Sequence, residues 1–273
     1  MSFEALSPGG LDYLPCRYGN SKVLFRGPRR SLNKPFVAFL GGTTTYGKFI
    51  PTPFPDIVEA QTGLTCVNFG SLNGGLDVIA GDPVVREMAV QARATVIQIT
   101  SPRNMSNRFY RVHPRRNDRF VEASALLRAI YRDVDFAEFN FTNHMLQRLN
   151  LVSPDRFEAV LDELRAAWTA RMRLVLSQIT GKTILLWAST HTPEEIGTDI
   201  DADPAFVTRD MIDAVIPLAT KYAEVVTASK DAEAHTDGMV FSELEAPAAK
   251  MMLGPQMHRD IADTLAPLLK SMT

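Results

Sequence analysis

The segment Phe36-Val-Ala-Phe-Leu40, followed by Gly41-Gly-Thr-Thr-Thr-Tyr-Gly47, decides the fold of this chain. Five consecutive apolar residues indicate a buried strand, and the Gly/Thr segment that follows them indicates a tight polar turn. A strand that ends in such a loop presents backbone N–H groups and hydroxyls at the edge of a sheet. Because ligands bind at the carboxyl ends of strands in open α/β sheets, the pattern predicts a pocket beside this loop.

Four later apolar segments predict the rest of the sheet, with helical segments between them. This alternation indicates an α/β three-layer sandwich around a doubly wound, parallel, five-stranded sheet. The flavodoxin-like order 2-1-3-4-5 places its switch point between the first and third strands, so residues 41–47 and 101–105 should flank one crevice. The later strands are expected at 64–69, 94–100, 183–188 and 224–227.

The whole chain, 1–273, is interpreted as a single α/β domain. Residues 1–34 should form an irregular N-terminal arm with a short strand near 23–25, and 106–180 an Arg-rich and helical insertion. The sequence leaves open whether that insertion is a lid over the crevice or a subunit interface, so a homo-oligomer is possible. Helices are expected at 54–62, 82–93, 121–149, 154–179, 209–222 and 255–269.

Composition excludes several classes of function. The net charge of −2 gives no electrostatic case for a nucleic-acid or membrane partner. Cys16 and Cys66 form neither a metal-ligand pattern nor a disulfide framework, and we expect no metal and no cofactor. The N-terminal sequence lacks the features of a signal peptide, and no apolar stretch is long enough to span a membrane, so we expect a cytoplasmic protein.

The Gly/Thr loop resembles the motif Gly-Asp-Ser-x-Thr-x-Gly, which opens the SGNH, or GDSL-type, hydrolase family. The resemblance lies in the spacing of its glycines and of one threonine. Thr43 stands at the position of that family's nucleophilic serine and Gly42 at that of its aspartate, whereas three positions match: Gly41, Thr45 and Gly47. Residues 68–74 are similar to the family's oxyanion loop, Asn104 matches the asparagine of its Gly-x-Asn-Asp motif, and 257–267 resembles its closing helix. The whole chain also resembles an alphaproteobacterial family that carries the same Gly-Gly-Thr loop and has no assigned activity.

The SGNH resemblance implies a set of roles for individual residues. Thr43 would be the nucleophile, and the loop residue Thr44 would contact substrate. The oxyanion hole would consist of the backbone amides of Gly42 and Gly74 with the side chains of Asn73 and Asn104. Each of these residues also has a structural interpretation, since threonine ends strands and asparagine occupies turns.

The catalytic base is the main departure from the family. Its Asp-x-x-His motif is incomplete here, because the segment that starts at Asp237 has Val240 in the histidine position. His258 and His235 are the candidate replacements, and His191 follows the fourth strand. The sequence favours a non-catalytic interpretation of each, with His258 near a helix start and His235 solvated in a polar loop. Without a base, a threonine hydroxyl is a weak nucleophile.

An arginine-rich segment leaves the third strand beside the crevice. Guanidinium groups bind carboxylate, phosphate and sulfate, so Arg103 and Arg108 are predicted to position an anionic small molecule or glycan. The alternative is that these arginines pair with acidic residues of neighbouring helices. Two functions therefore stay open. One is an atypical SGNH-like hydrolase or acyl-transfer enzyme acting on an ester or acetylated substrate. The other is an inactive relative that binds an anionic metabolite or a glycan.

Overall fold

A computed structural model describes residues 10–195, 199–227 and 234–272. The strands of its main sheet are β1 (Phe36–Gly41), β2 (Thr65–Gly70), β3 (Ala94–Gln98), β6 (Lys182–Ser189) and β7 (Lys221–Val226). These five strands are parallel and lie in the order β2-β1-β3-β6-β7, which confirms the predicted doubly wound order.

Helices cover both faces of the sheet and complete the expected three layers. The helices of the described ranges, including α5 and α6 that pack within the insertion, are α1 (Thr43–Tyr46), α2 (Phe54–Thr62), α3 (Leu76–Gly81), α4 (Pro83–Gln91), α5 (Ala125–Ile130), α6 (Thr142–Val152), α7 (Pro154–Gln178), α8 (Arg209–Asp213), α9 (Ala246–Ala249) and α10 (Pro255–Met272). Val37 and Phe39 belong to the core shared with α2 and α10, whereas Ala38 and Leu40 belong to the core shared with α4 and α7. Their alternation follows from the two-residue period of a strand.

The N-terminal arm lies against the Gly/Thr loop, although residues 1–9 of the expected arm fall outside the described ranges. The expected strand near 23–25 is only an isolated bridge between Cys16 and Phe25. Arg26 is buried, and its guanidinium donates hydrogen bonds to the carbonyl oxygens of Gly47 at 2.6 Å and Pro51 at 2.8 Å. The arm therefore fixes the path of the chain just after α1.

The insertion differs from the sequence-based expectation in two ways. Its first part is not helical but forms an antiparallel hairpin of β4 (Tyr110–His113) and β5 (Arg116–Ala123). The long helix expected at 121–149 was wrong, because β5 and the shorter helices α5 and α6 occupy that range. Aromatic side chains of the hairpin and of the connection between the helices share one buried cluster, so tertiary packing overrides the helical pattern: Phe109, Tyr110, Phe120, Phe136 and Phe139.

The segment before the last strand also differs from its prediction. The helix expected at 209–222 ends at Asp213, and a 3₁₀ turn follows at Ile216–Leu218. Pro217 has no N–H for an α-helical bond, which agrees with this early end. Strand β7 consequently begins at Lys221, before the expected residue 224.

The hairpin is joined to the sheet by buried polar contacts. Asn117 is fully buried, and its Oδ1 accepts hydrogen bonds from the backbone N–H of Gly75 at 2.8 Å and of Val78 at 3.2 Å. Asp77 accepts a bond from the N–H of Ser106 at 2.7 Å. The insertion thus supports the loop after β2, which neither the lid nor the interface interpretation anticipated.

Within the described ranges, no helix is both long and apolar enough to cross a membrane.

We expect Asn117→Ala to destabilise the protein by about 2 kcal/mol, because two buried N–H groups lose their acceptor. Amide hydrogen exchange at Gly75 should accelerate, measured together with urea-induced unfolding. Asn140→Ala is the matched control, since Asn140 is exposed and its side chain makes no hydrogen bond within the described residues. Equal stability of the two variants would contradict this role for Asn117.

Candidate functional site

The loop after β1 is held by one side chain of the central strand β3. Gln98 Oε1 accepts three hydrogen bonds, from Gly42 N at 3.2 Å, Thr45 N at 3.1 Å and Thr45 Oγ1 at 2.6 Å. A Cβ at Gly41 would collide with Thr45 Oγ1 and with the Gln98 side chain, so glycine is required there. The loop conformation therefore depends on a buried carboxamide that the sequence analysis did not single out.

The loop after β2 approaches the first loop closely. The N–H of Asn73 donates to Thr43 Oγ1 at 3.0 Å, and Asn73 has a positive φ of 53°. A Cβ at Gly42 would lie 2.8 Å from the carbonyl oxygen of Gly74. The structure thus brings four predicted site residues into one crevice, as the strand order implied.

Two of the four predicted oxyanion donors, the backbone amides of Gly42 and Gly74, are already used within the protein. The Gly42 amide is bonded to Gln98, and the Gly74 amide donates to the carbonyl oxygen of Ser71 at 3.0 Å. Asn104 Oδ1 accepts a bond from Thr142 Oγ1 at 2.9 Å, and Asn73 is exposed. The expectation that the two glycine amides are free donors is therefore corrected, since both are satisfied inside the protein.

His258 lies in the core rather than beside Thr43. It is 1 % exposed, and its Nδ1 accepts a hydrogen bond from the backbone N–H of Phe54 at 3.1 Å. Burial, assisted by the nearby positive charge of Arg26, lowers the pKa of His258 from 6.5 to about 3. This imidazole is a poor proton acceptor, and the geometry gives no support to His258 as the base.

No other described imidazole forms a hydrogen bond with Thr43. His235 Nε2 contacts the carbonyl oxygen of Met252. His191 Nδ1 lies 3.1 Å from the carbonyl oxygen of Thr192, and its ring packs edge-on against Trp187. His191 Nε2 is buried and has no hydrogen-bond partner among the described residues.

The two predicted substrate-binding arginines contact the protein itself. Arg103 Nη1 donates to the carbonyl oxygen of Ile200. Arg108 Nε lies 2.6 Å from a carboxylate oxygen of Glu163, a buried residue of α7. This pairing agrees with the alternative that the arginines bind acidic groups of neighbouring helices.

A large cavity lies on the β6 side of the Gly/Thr loop and has a volume of about 650 Å³. Thr44 is the only member of that loop among its described lining residues. The other walls come from residues 190–191 and 195, from 199–208, and from 235 and 250–253, with Arg165 of α7. Both His191 and His235 line it, whereas Thr43 and His258 do not.

Asp203 is a lining residue that the sequence analysis missed. Its side chain is open to the cavity but is crowded by protein on its other sides. Desolvation by that surrounding protein raises the pKa of its carboxyl group, although Arg103 and His191 lie close enough to oppose the shift. Asp203 lies in an Asp- and Pro-rich loop, where composition alone gives an acidic residue no special weight.

Gln98 was detectable from the sequence in principle. It is the only amide side chain in an otherwise apolar and β-branched strand. A buried amide side chain at the end of a central strand needs hydrogen-bond partners, and the adjacent loop is the nearest source of them.

No group of three or more His, Cys, Asp or Glu side chains in the described ranges is arranged to hold a metal ion. The free thiols at Cys16 and Cys66 lie apart from the cavity lining. Burial raises the pKa of the Cys66 thiol, which keeps it protonated and unreactive.

Gln98→Leu should lower the free energy of unfolding by about 3 kcal/mol, because it leaves two buried backbone N–H groups without an acceptor. Urea-induced unfolding measures this change. Gln178→Leu, at an exposed position at the end of α7, is the control and should change stability by less than about 0.5 kcal/mol. A Gln98→Leu protein as stable as this control would refute the proposed constraint.

His258 should make stability depend on pH. Its pKa is about 3 in the folded chain against an ordinary 6.5, so the unfolded chain binds the proton first as pH falls. This contribution is fully present above pH 6.5 and declines toward pH 3, by about 2 kcal/mol between pH 7 and pH 5. His258→Asn retains an acceptor for Phe54 and should show a flatter dependence in urea unfolding at the two pH values. An unchanged slope would show that His258 titrates normally.

Comparison with known proteins gives a family and weak structural likenesses. A lipase, Lip_vut3 from a goat rumen metagenome, is 12% identical with a TM-score of 0.46, covering 86% of this chain and 97% of its own. An alpha/beta hydrolase enzyme, LAE5 from the metagenome of Lake Arreo in Spain, is 12% identical with a TM-score of 0.41, covering 88% and 96%. Likenesses this distant carry no inference about activity. No curated protein matches the chain.

The family model described as "Domain of unknown function (DUF6473)" matches residues 1–273. The chain therefore belongs to the DUF6473 family.

Proposed function

We propose that this chain is an SGNH-like protein that binds a small polar ligand, an anionic metabolite or a glycan, without hydrolysing esters through Thr43. The ligand would occupy the cavity between the Gly/Thr loop and the segments that follow β6. A cavity of this size, with mixed apolar and polar walls beside the carboxyl ends of the strands, is typical of small-molecule sites.

The observation that carries the proposal is the environment of the Thr43 hydroxyl. Thr43 Oγ1 accepts a bond from the N–H of Asn73, and no described imidazole forms a hydrogen bond with it. The amides of Gly42 and Gly74 have protein acceptors, so a tetrahedral oxyanion beside Thr43 would lack two of the four donors that the family resemblance implied. A nucleophile with no base and an incomplete oxyanion hole gives little acceleration.

A hydrolase or acyl-transfer enzyme is the second candidate. One observation favours an enzyme of this kind that uses Thr44 instead of Thr43. Thr44, rather than Thr43, lines the cavity together with His191 and His235. Since His191 Nε2 has no partner among the described residues, it has an unused proton-accepting position. An ester substrate in the cavity would therefore meet the Thr44 hydroxyl and the rings of His191 and His235, and the buried Nε2 of His191 would reach it only after the ring shifts.

We expect no turnover of short-chain aryl esters or acetylated sugars above that of Thr43→Ala, because the Thr43 hydroxyl lacks a base. Activity of the purified protein should be assayed beside Thr43→Ala and Thr44→Ala. Turnover lost only in Thr43→Ala would overturn the proposal. Turnover lost only in Thr44→Ala would establish the second candidate.

The binding half of the proposal has its own test by thermal shift. Thr190 is exposed and lines the cavity, so Thr190→Trp should fill that space without disturbing the core. Stabilisation by a sugar or metabolite panel should disappear in this variant. It should persist in Thr180→Trp, a control at an exposed threonine just after α7 and outside the cavity. Ligand stabilisation that is equal in both variants would place the site elsewhere.

A further inference from the structure

The charged groups of the cavity argue against a strongly anionic ligand. Its described lining includes four carboxylates, of Glu195, Asp199, Asp201 and Asp203, against the cationic side chains of Arg165 and Lys250. An anion would be repelled by the excess of carboxylates, which would attract a cation, and Arg165 and Lys250 oppose that attraction. A neutral ligand whose hydroxyls both donate and accept hydrogen bonds suits this mixture.

Thr44 has a polar group that is available to such a ligand. The residue is 7 % exposed, and its hydroxyl makes no hydrogen bond with any described residue. That oxygen is not fully sealed from solvent, so a ligand can reach it from the cavity that Thr44 lines. Burying an unpaired hydroxyl costs free energy unless a partner arrives.

Asp203 presents a second unpaired group from a rigidly held segment. Its carboxylate makes no hydrogen bond with any described residue, whereas its backbone carbonyl accepts one from Ser189 Oγ at 2.8 Å. Two residues later, the carbonyl of Ala205 accepts a bond from Ser101 Oγ at 3.1 Å. The hydroxyls at the ends of β3 and β6 thereby fix the Asp203 backbone above the sheet edge.

The same segment supplies an apolar surface. Phe206 has a positive φ of 66°, unusual for a bulky residue, and packs against Phe157 of α7. Backbone in this region costs free energy and persists where the surrounding structure enforces it, often at ligand sites. Phe206, Met252 and Leu253 all line the cavity and offer contacts to the C–H face of a sugar ring.

From this arrangement we infer that the cavity binds a neutral carbohydrate, with the Asp203 carboxylate accepting hydrogen bonds from its hydroxyls and the Thr44 hydroxyl contacting it from the opposite loop. This inference rests on the proposed binding function and narrows it to one ligand class. It also departs from the anionic ligand that the arginine-rich segment suggested.

The test is calorimetric titration of the full chain with neutral mono- and disaccharides, with glucosamine as the cationic probe and with inorganic phosphate and a sugar acid as the anionic ones. Asp203→Asn preserves shape but removes the charge, and should weaken neutral-sugar binding by about tenfold or more. Thr44→Val is isosteric and should weaken it by about fivefold. Asp213→Asn and Thr180→Val, at exposed residues outside the cavity, should bind as the unmodified protein does.

The outcomes of this titration distinguish failure of the neutral-carbohydrate inference from failure of the proposed binding function. Neutral-sugar binding that is weakened in both cavity variants supports the inference, and normal binding in both overturns it. Binding of only phosphate, the sugar acid or glucosamine overturns the neutral class while the proposed binding function stands. Absence of any stabilising ligand in the wider metabolite panel overturns both. Thermal unfolding of each variant identifies a loss of fold, and Thr44→Val tests the site independently should Asp203→Asn not fold.

Discussion

The Gly/Thr loop depends on one buried acceptor, the carbonyl oxygen of the Gln98 side chain at the end of the central strand. Three hydrogen bonds converge on that oxygen, and two of them come from backbone N–H groups. Buried amides without a partner are costly, so this contact leaves the chain little freedom after β1. Arg26 restrains the chain from the other side, through the carbonyl of Gly47. The direction in which Thr43 and Thr44 face follows from these constraints.

Buried carboxamides have the same role elsewhere at this edge. Asn68 Nδ2 donates to the carbonyl oxygen of Thr45 at 2.7 Å, and Asn117 reaches from the hairpin to Gly75. These two contacts satisfy the carbonyl of Thr45 and the amide of Gly75, and Gln98 satisfies the Gly42 amide, which was a predicted oxyanion donor. The crevice between the two Gly-rich loops is therefore internally bonded, and the accessible space lies on the β6 side. We propose that this distribution of hydrogen bonds, rather than the loop sequence, favours ligand binding over ester hydrolysis.

Much of the fold was predictable, because apolar runs and intervening helices carry strong local signals. The strand order, which sets the ends of β1 and β3 side by side, followed from those signals. The hairpin at 110–123 was not predictable, since its aromatic residues form a cluster with distant partners such as Phe136. The candidate site was harder to predict from the sequence than the fold. Whether Gly42 is a free donor depends on Gln98, which is 56 residues away, and whether His258 is a base depends on its burial against Phe54. A short sequence motif gives neither the distant contact partner of a residue nor the burial of its side chain.

We propose that ligands enter the cavity lined by Thr44 and Asp203 and leave the Thr43 crevice empty. A crystal structure of the full chain, grown with the best neutral sugar from a binding screen, tests this claim most directly. We predict ligand density within hydrogen-bond distance of Thr44 Oγ1 and the Asp203 carboxylate, with the Gln98 hydrogen bonds intact. Ligand density between Thr43 and Gly74, with the Gly42 amide turned away from Gln98 and toward the ligand, would contradict it.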